Sequence, residues 1–211
     1  MIAGGLAVAV AACATAAQGS GSGGARPATA DRTTPSPTAQ ASADSGRPRY
    51  TAADVSFLSD MIPHHAQAVL MAGWAPTHNA SQSVRTLSER IVVGQQDEIA
   101  FAQRWLRERG EAVPEIDPEY AHHGTLMPGM LNAEELAQLD AAKGVEFDRL
   151  FLTFMIRHHE GAIAMVEELF RAPGAAQEEE IFRFASDVNS DQLAEIDRMT
   201  QMLEQLPTGG T

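Results

Sequence analysis

The chain has 211 residues, and its 28 acidic against 15 basic residues give a formal net charge of −13. The first 49 residues carry four arginines and two aspartates, which leaves a net charge of −15 on residues 50–211. This acidic balance argues against nucleic-acid binding, because phosphate recognition needs clustered basic side chains. The single cysteine excludes an intramolecular disulfide framework and any zinc or iron–sulfur site built from a cysteine cluster.

The chain opens with an apolar run over residues 2–12 that ends at Cys13. The run is shorter than the roughly 20 apolar residues that cross a bilayer, and it is typical of the hydrophobic region of a signal peptide. Val10-Ala11-Ala12-Cys13 resembles a bacterial lipobox, which predicts a signal peptide over residues 1–13 and lipidation of Cys13. Plain secretion with cleavage after Ala16 is the alternative. Both interpretations place the protein outside the cytoplasm, and the first anchors it by lipid on the outer face of the cell membrane.

Residues 14–49 contain no Leu, Ile, Val, Met or aromatic residue. Such a segment cannot bury enough apolar surface to offset the entropy lost on ordering, so it is predicted to be a disordered linker. Residues 50–211 are predicted to form the folded domain.

The predicted domain contains an internal duplication. Residues 54–71 and 148–165 share the motif Asp-x-x-Phe-Leu-x-x-Met-Ile-x-His-His-x-x-Ala-x-x-Met at an offset of 94 residues. A second pair of matching segments, 87–105 and 184–202, follows at an offset of 97 residues. A repeat of this detail predicts two structurally equivalent halves.

All four repeated segments place apolar residues at helical spacing. Periodicity and capping signals predict long helices over residues 52–74, 81–109, 145–171 and 176–205, and a short helix over 133–142. The short turns make two antiparallel hairpins, and the connection over 110–144 is long enough to run the length of a bundle. The sequence therefore predicts an all-α, ferritin-like four-helix bundle of two tandem hairpins with a long crossover. Simple up-and-down connectivity is the alternative topology.

Six of the seven histidines occur as adjacent pairs, and two pairs occupy the same position of the duplicated motif. These pairs lie on the predicted core face, where an unpartnered imidazole is costly to bury. Imidazole and thioether together suit soft ions such as copper(I). The alternative is one solvated and one core imidazole in each pair, beside methionines that only fill the core. The predicted metal ligands are His64, His65, His158, His159, Met61 and Met155.

The second helix of each hairpin carries a glutamine and a glutamate on its apolar face: Gln95 and Glu98, then Gln192 and Glu195. Because buried carboxylates need partners, we expect these side chains to surround the ligands, where a carboxylate accepts the second N–H of a histidine and fixes its tautomer. The alternatives are direct ligation by Glu98 and Glu195, an ion pair with arginine, or a position at the solvated end of the bundle.

The crossover carries a third histidine pair and two methionines around a Pro-Gly turn, namely His122, His123, Met127 and Met130. These residues could close a second soft-metal site or a lid. The alternative is an irregular loop whose methionines dock on the bundle.

Several motifs of known enzyme classes are missing from the predicted bundle. No predicted bundle helix contains Glu-x-x-His, which disfavours a di-iron carboxylate centre. His-Glu-x-x-His, Gly-x-Ser-x-Gly and a phosphate-binding glycine loop are also absent. The sequence assigns no catalytic residue and favours a binding protein over an enzyme.

Residues 54–206 resemble the bacterial family known as domain of unknown function 305. The resemblance rests on the Met-Ile-x-His-His blocks at 61–65 and 155–159, the Met-Pro-Gly-Met loop at 127–130, and Phe-Asp-x-x-Phe-Leu at 147–152. It implies a secreted four-helix bundle, and the CopM-like members of the family are periplasmic copper-binding resistance proteins. Ala102 stands where the more methionine-rich members often have methionine, which argues against storage of many copper ions.

These observations predict an extracytoplasmic protein that sequesters copper, as copper(I), or transfers it to a copper-handling protein partner. Its contact with the membrane would be through the lipid anchor only. A helical module of the cell envelope that binds a protein partner without metal is the alternative, and a metal-dependent redox enzyme is the less favoured third hypothesis.

Overall fold

The computed structural model of the protein describes residues 50–116 and 126–207. Cys13, the predicted signal peptide and linker, His122 and His123 lie outside the described residues. No helix within the described ranges is both long and apolar enough to span a membrane. Those ranges contain five α-helices and no strand: α1 (Ala52–Gly73), α2 (Gln82–Glu108), α3 (Ala133–Ala141), α4 (Val145–Arg171) and α5 (Glu179–Glu204).

The helix starts follow the predicted capping signals. Thr51 and Asp54 form a capping box at α1, and Asn132 and Glu135 form one at α3. The Ser81 hydroxyl caps α2. These contacts satisfy N–H donors of the first turn that have no partner within the helix. The predicted helix bounds agree with the structure to within one residue, except at the start of α5.

Helix α5 begins at Glu179, three residues later than predicted, because the preceding turn uses left-handed backbone. Gly174 has φ +78° and Ala176 has φ +53°. Ala176 is held in this unfavourable region by a hydrogen bond from its backbone N–H to Asp54 Oδ1, at 2.7 Å. A contact from the other half of the molecule therefore sets this helix start.

Asp54 and Asp148, equivalent residues of the two motif copies, bind the turns reciprocally. Asp54 on α1 accepts from Ala176 in the α4–α5 turn, and Asp148 on α4 accepts from the Ser81 N–H in the α1–α2 turn, at 3.2 Å to each oxygen. Both carboxylates are buried. Each hairpin therefore fixes the turn of the other.

The central helices of the bundle are α1 and α4, which pack side by side, with α2 against α1 and α5 against α4. The N-terminal half of α1 and the C-terminal half of α4 share one hydrophobic cluster, so these two helices are antiparallel. Since each hairpin is also antiparallel, α2 and α4 run in the same direction and need a crossover the length of the bundle. The ferritin-like topology with a long crossover is confirmed.

The core is divided into two hydrophobic clusters. One cluster includes Met61 and Trp105, and the other includes Ile91, Phe151 and Met155. Each long helix contributes one half to each cluster, and polar residues lie near the middle of the helices, between the two clusters. We call this set the polar layer. Its members are His64, His65, Gln95, Glu98, His158, His159, Gln192 and Glu195.

Candidate metal centre

The four histidines of the duplicated motif lie together in the polar layer, each at most 1% exposed. The rings of His64 and His158 lie against each other with centroids 3.9 Å apart and are tilted by an interplanar angle of 41°. Within the pairs, the centroids are 6.1 Å apart for His64 and His65, and 6.2 Å apart for His158 and His159. Equal motif positions meet here because α1 and α4 are antiparallel.

Two of these imidazoles donate a hydrogen bond from Nε2. His64 donates to the Pro128 carbonyl at 3.0 Å, and His159 donates to Glu195 Oε2 at 2.7 Å. A carbonyl oxygen and a carboxylate can only accept, so Nε2 carries a proton in both rings, and a neutral ring has no proton on Nδ1. The lone pair is then on Nδ1, on the other side of the ring.

His65 and His158 are less completely partnered. His65 Nε2 lies 2.9 Å from Glu98 Oε2, close enough for an ion pair but out of line for a hydrogen bond. His158 has no hydrogen-bond partner at either nitrogen. The carboxylates of Glu98 and Glu195 therefore occupy equivalent places beside the second histidine of each pair, as the repeat predicts.

The Nδ1 atoms of all four histidines are buried and have no hydrogen-bond partner. Leaving a buried polar atom unpaired costs about 1–3 kcal/mol, and native proteins rarely contain a group of such atoms. Four unsatisfied nitrogen atoms in one layer are typical of a site for another group. Their chemistry, imidazole nitrogen, fits a soft or borderline metal ion.

Burial keeps His64 and His158 neutral. Desolvation lowers the pKa of His64 to about 3, with a further contribution from the neighbouring His65. Desolvation, followed by the proximity of His64, lowers the pKa of His158 well below its usual value. Their nitrogen lone pairs are therefore not blocked by protons at neutral pH.

Met61 and Met155 are fully buried and approach the polar layer from opposite sides, because they belong to different hydrophobic clusters. Each precedes the second histidine of its pair by one helical turn. In residues 50–116 and 126–207, no three His, Cys, Asp or Glu side chains are already close enough to hold an ion. Coordination in the polar layer therefore needs a thioether or a change of rotamer.

The Met-Pro-Gly-Met loop of the crossover covers the His64 side of the polar layer. Its Pro128 carbonyl binds His64, Met130 is buried, and Met127 packs against the first hydrophobic cluster. A Cβ at Gly129 would overlap the backbone of α4. The two methionines therefore dock on the bundle. His122 and His123, the other two predicted ligands of a second metal site, lie outside the described residues. A second metal site in this loop therefore stays a prediction.

Gln67 and Gly161 hold the loop in place, and neither is among the residues predicted from the sequence. The Gln67 amide makes two hydrogen bonds to the backbone of Leu131, at 2.9 and 2.8 Å. On α4, Gly161 lets the Pro128 carbonyl approach the helix backbone closely. Gln67 and Gly161 occupy the same place in the two motif copies and differ in type, but so do the residues at eight other positions of the motif. The sequence alone therefore does not single out the face on which the loop rests.

Gln95 and Gln192 also lie at equivalent positions, on α2 and α5. Their side chains are 3% and 2% exposed, and both Oε1 atoms lack a hydrogen-bond partner. They are therefore additional buried acceptors in the polar layer. Among the described residues, neither side chain makes a hydrogen bond that would explain its burial.

The sequence profile of the family described as domain of unknown function DUF305 matches residues 54–203. A DUF305 fragment from Deinococcus radiodurans is 32% identical, with a TM-score of 0.65, over 75% of this chain and 100% of that chain. The putative secreted DUF305 protein from Streptomyces coelicolor is 26% identical, with a TM-score of 0.64, over 75% of this chain and 98% of that chain.

CopM in its copper(II)-bound form is 28% identical, with a TM-score of 0.58, over 72% of this chain and 95% of that chain. CopM structures in copper(I)-bound and silver-bound forms match over the same shares. An uncharacterised protein, L153, of Acanthamoeba polyphaga mimivirus is 34% identical over 56 residues, which are 26% of this chain and 37% of the viral protein. The profile match and the solved relatives together show that this chain belongs to the DUF305 family.

Proposed function

We propose that this protein binds copper(I) in the polar layer and sequesters it, or passes it to a partner, outside the cytoplasm. The observation that carries the proposal is the set of four buried Nδ1 atoms without a hydrogen-bond partner. Pro128 and Glu195 hold the proton of two imidazoles on the opposite nitrogen, so ligation through Nδ1 displaces no proton there.

The donor types favour a soft ion. Neutral imidazole nitrogen and thioether sulfur suit copper(I), whereas calcium and magnesium require oxygen ligands. Met61 and Met155 are the thioethers nearest in sequence to the second histidine of each pair, and they offer sulfur without a thiolate. This property matters in an oxidising compartment, where free cysteine is readily lost.

The relatives support a metal ion in general terms. CopM, a protein of the same fold, has structures with copper(I), copper(II) and silver bound. The proposed location rests on the lipobox-like segment that ends at Cys13, with plain secretion as the alternative. Release to a copper-handling partner would then occur at the cell envelope.

A copper(I) titration of the domain against a chromophoric chelator tests the proposal. We expect saturation at low stoichiometry for the wild-type domain and loss of tight binding when His65 and His159 are both replaced by glutamine. His78→Gln is the matched control, because His78 is also a buried histidine but both of its nitrogens contact protein atoms. Binding that survives the double replacement would refute the site.

Thermal unfolding of the metal-free domain with and without copper(I) separates the proposal from the alternative of a metal-free partner-binding module. A ligand that binds only the native state at 100 times its Kd stabilises it by about 2.7 kcal/mol. We expect the wild-type Tm to rise on addition of copper(I) and the Tm of the double variant to stay unchanged. An unchanged wild-type Tm would favour the partner-binding module.

A further inference from the structure

An open cleft of about 680 Å³ separates α2 from α5, the two outer helices of the bundle. A smaller adjoining cavity of about 200 Å³ shares Gly94, Glu98 and Asp191 with it and extends down to Gln95 and Gln192. The two spaces together connect the solvent with the polar layer. We call them the acidic cleft.

Carboxylates dominate the walls of the acidic cleft. Seven acidic side chains line it against two arginines. Arg183 is paired with Glu179, and Glu180 is paired with Arg109 from outside the cleft, which leaves five carboxylates against Arg90. Burial raises the pKa of the Asp191 carboxyl, and the negative charges of Glu98 and Glu195 raise it further. The cleft is therefore a region of concentrated negative charge, which attracts cations and repels anions.

The floor of the cleft provides an independent sign of a ligand. The Oε1 atoms of Gln95 and Gln192 are buried there without a hydrogen-bond partner, although both side chains line the cavity. An amide oxygen at the bottom of an acidic funnel is a suitable temporary ligand for a cation that has shed part of its water shell. No other group of the described residues satisfies these two acceptors.

Glu98 and Glu195 connect the cleft with the histidines. Their side chains are 17% and 21% exposed, and each contacts a buried imidazole that is at most 1% exposed. On the other side of the layer, the docked Met-Pro-Gly-Met loop covers His64 through Pro128. The acidic cleft is therefore the side on which side chains reach from the solvent to the buried ring nitrogens.

We propose that the acidic cleft is the entry route for the metal cation, and this inference rests on the proposed function of the polar layer. Asp187 and Asp191 attract the hydrated ion. Carboxylate oxygens and then the oxygens of Gln95 and Gln192 replace its water ligands, and imidazole nitrogen replaces these in turn. The steps are ligand exchanges only, so the oxidation state of the ion does not change.

The test measures the rate at which silver(I), used as a redox-inert probe, binds to the domain. Stopped-flow mixing with silver nitrate in chloride-free buffer, followed by near-ultraviolet absorbance, gives the association rate constant. The test variant is Asp187→Asn with Asp191→Asn. The control, Asp60→Asn with Glu160→Gln, makes the same change in net charge at exposed positions outside the cleft.

We expect the cleft variant to bind silver(I) about tenfold more slowly than the wild-type domain at low ionic strength, which is the lower end of the effect of electrostatic focusing. The difference should shrink in about 0.5 M sodium nitrate because salt screens the field. Dissociation should slow as well, so the Kd should change much less than the association rate. The control variant should match the wild-type rate.

Equal rates for the cleft variant and the control would overturn the entry route while leaving the metal site intact. A large rise in Kd with an unchanged association rate would also overturn it, because the two aspartates would then be ligands and not an entrance. Wild-type protein that binds no silver(I) at equilibrium would instead overturn the proposed function, and the entry route with it.

Discussion

The imidazole of His64 lies against that of His158 in the middle of the bundle, tilted by 41° and 3.9 Å from centroid to centroid. The contact joins equivalent residues of two antiparallel helices, so it follows directly from the sequence duplication. In the absence of a ligand the arrangement is unfavourable, because both rings are fully desolvated and three of their four nitrogens have no partner. The polar layer therefore lowers the stability of the protein when no ligand is bound.

Replacing His158 by leucine should stabilise the metal-free domain. The substitution removes two buried nitrogen atoms that lack partners, each of which costs about 1–3 kcal/mol, and leucine fills a similar volume. We expect a higher urea midpoint in the presence of a chelator and weaker copper(I) binding in the same variant. Chemical denaturation at pH 7.5 and a chelator competition measure the two effects.

His78→Leu is the control for that prediction and should have the opposite effect on stability. His78 Nε2 lies 2.8 Å from the Asp140 carbonyl oxygen, and the imidazole packs between Trp74 and Phe147. Its loss should therefore destabilise the domain while copper(I) binding stays the same. A destabilised His158→Leu variant would contradict our account of the polar layer.

Acid should destabilise the metal-free domain before its carboxylates titrate. The pKa of His64 is about 3 in the folded state and about 6.5 in the unfolded chain, and that of His158 is also lowered. Between these values the unfolded chain binds more protons, so stability is complete above about pH 6.5 and falls as the pH drops. Each such histidine adds a slope of about 1.4 kcal/mol per pH unit.

Urea unfolding of the metal-free domain at intervals from pH 7.5 to pH 5 measures this slope. His158→Leu should show a shallower decline than the wild-type domain, since one of the two groups is gone. Parallel curves would show that the buried histidines do not control acid stability. Above pH 5 the exposed carboxylates contribute little, because their usual pKa values lie below this range.

The reciprocal aspartates should differ in their contribution to stability, although they occupy equal positions of the repeat. Asp54 accepts from the N–H groups of Thr51 and Ala176 at 2.7 Å each, whereas Asp148 accepts from the Ser81 N–H at 3.2 Å. Asp54→Ala therefore removes a helix cap and leaves a buried donor unpaired. We expect a loss of about 2–4 kcal/mol for Asp54→Ala and about 1–2 kcal/mol for Asp148→Ala.

Denaturant unfolding of the two alanine variants and of Asp54→Asn measures this difference. Asparagine keeps an oxygen acceptor, so Asp54→Asn should recover part of the stability lost in Asp54→Ala. Equal losses for the two alanine variants would show that the exact symmetry of the repeat, and not the geometry of each turn, decides the contribution.

The fold could be predicted because the signals for its helices are local or duplicated in the sequence. Thr51, Ser81 and Asn132 mark helix starts through their own side chains, and the repeat fixes which helices are equivalent. The start of α5 could not be predicted, because the Ala176 N–H donates a hydrogen bond to Asp54, 122 residues away, and this contact stabilises the left-handed backbone of Ala176. Contacts between distant segments leave no local signal in the sequence.

The histidine layer was predictable from periodicity, whereas its surroundings were not. The match of His65 with Glu98 and of His159 with Glu195 follows from equal registers on neighbouring helices. The Pro128 carbonyl beside His64 is a backbone group, which every residue type has, so the sequence does not predict this contact. The acidic cleft was not predicted either. In the sequence, the carboxylates of α2 and α5 resemble an ordinary solvated surface, and only the structure shows the space between the two helices.

Because the crossover loop lies close to α4, replacement by alanine should have opposite effects on stability at Gly161 and at Gly94. At Gly161 an added Cβ would overlap the Pro128 carbonyl, whereas at Gly94, in the middle of α2, it would meet no atom within 4 Å. We expect Gly161→Ala to destabilise the domain by about 1–3 kcal/mol, because the loop must move. Gly94→Ala should stabilise it by about 0.5–1 kcal/mol through helix propensity.

Urea unfolding gives the two signs, and limited proteolysis shows where the structure changes. In Gly161→Ala, the displaced loop should be cleaved faster near Met127–Met130, and the His64 Nε2–H should lose its acceptor, which a two-dimensional NMR spectrum of the imidazole resonances detects. Gly94→Ala should leave both readouts as in the wild-type domain. A stable Gly161→Ala variant with an unchanged His64 signal would show that the loop does not rest on α4 in solution, and the covered side of the polar layer would then be open.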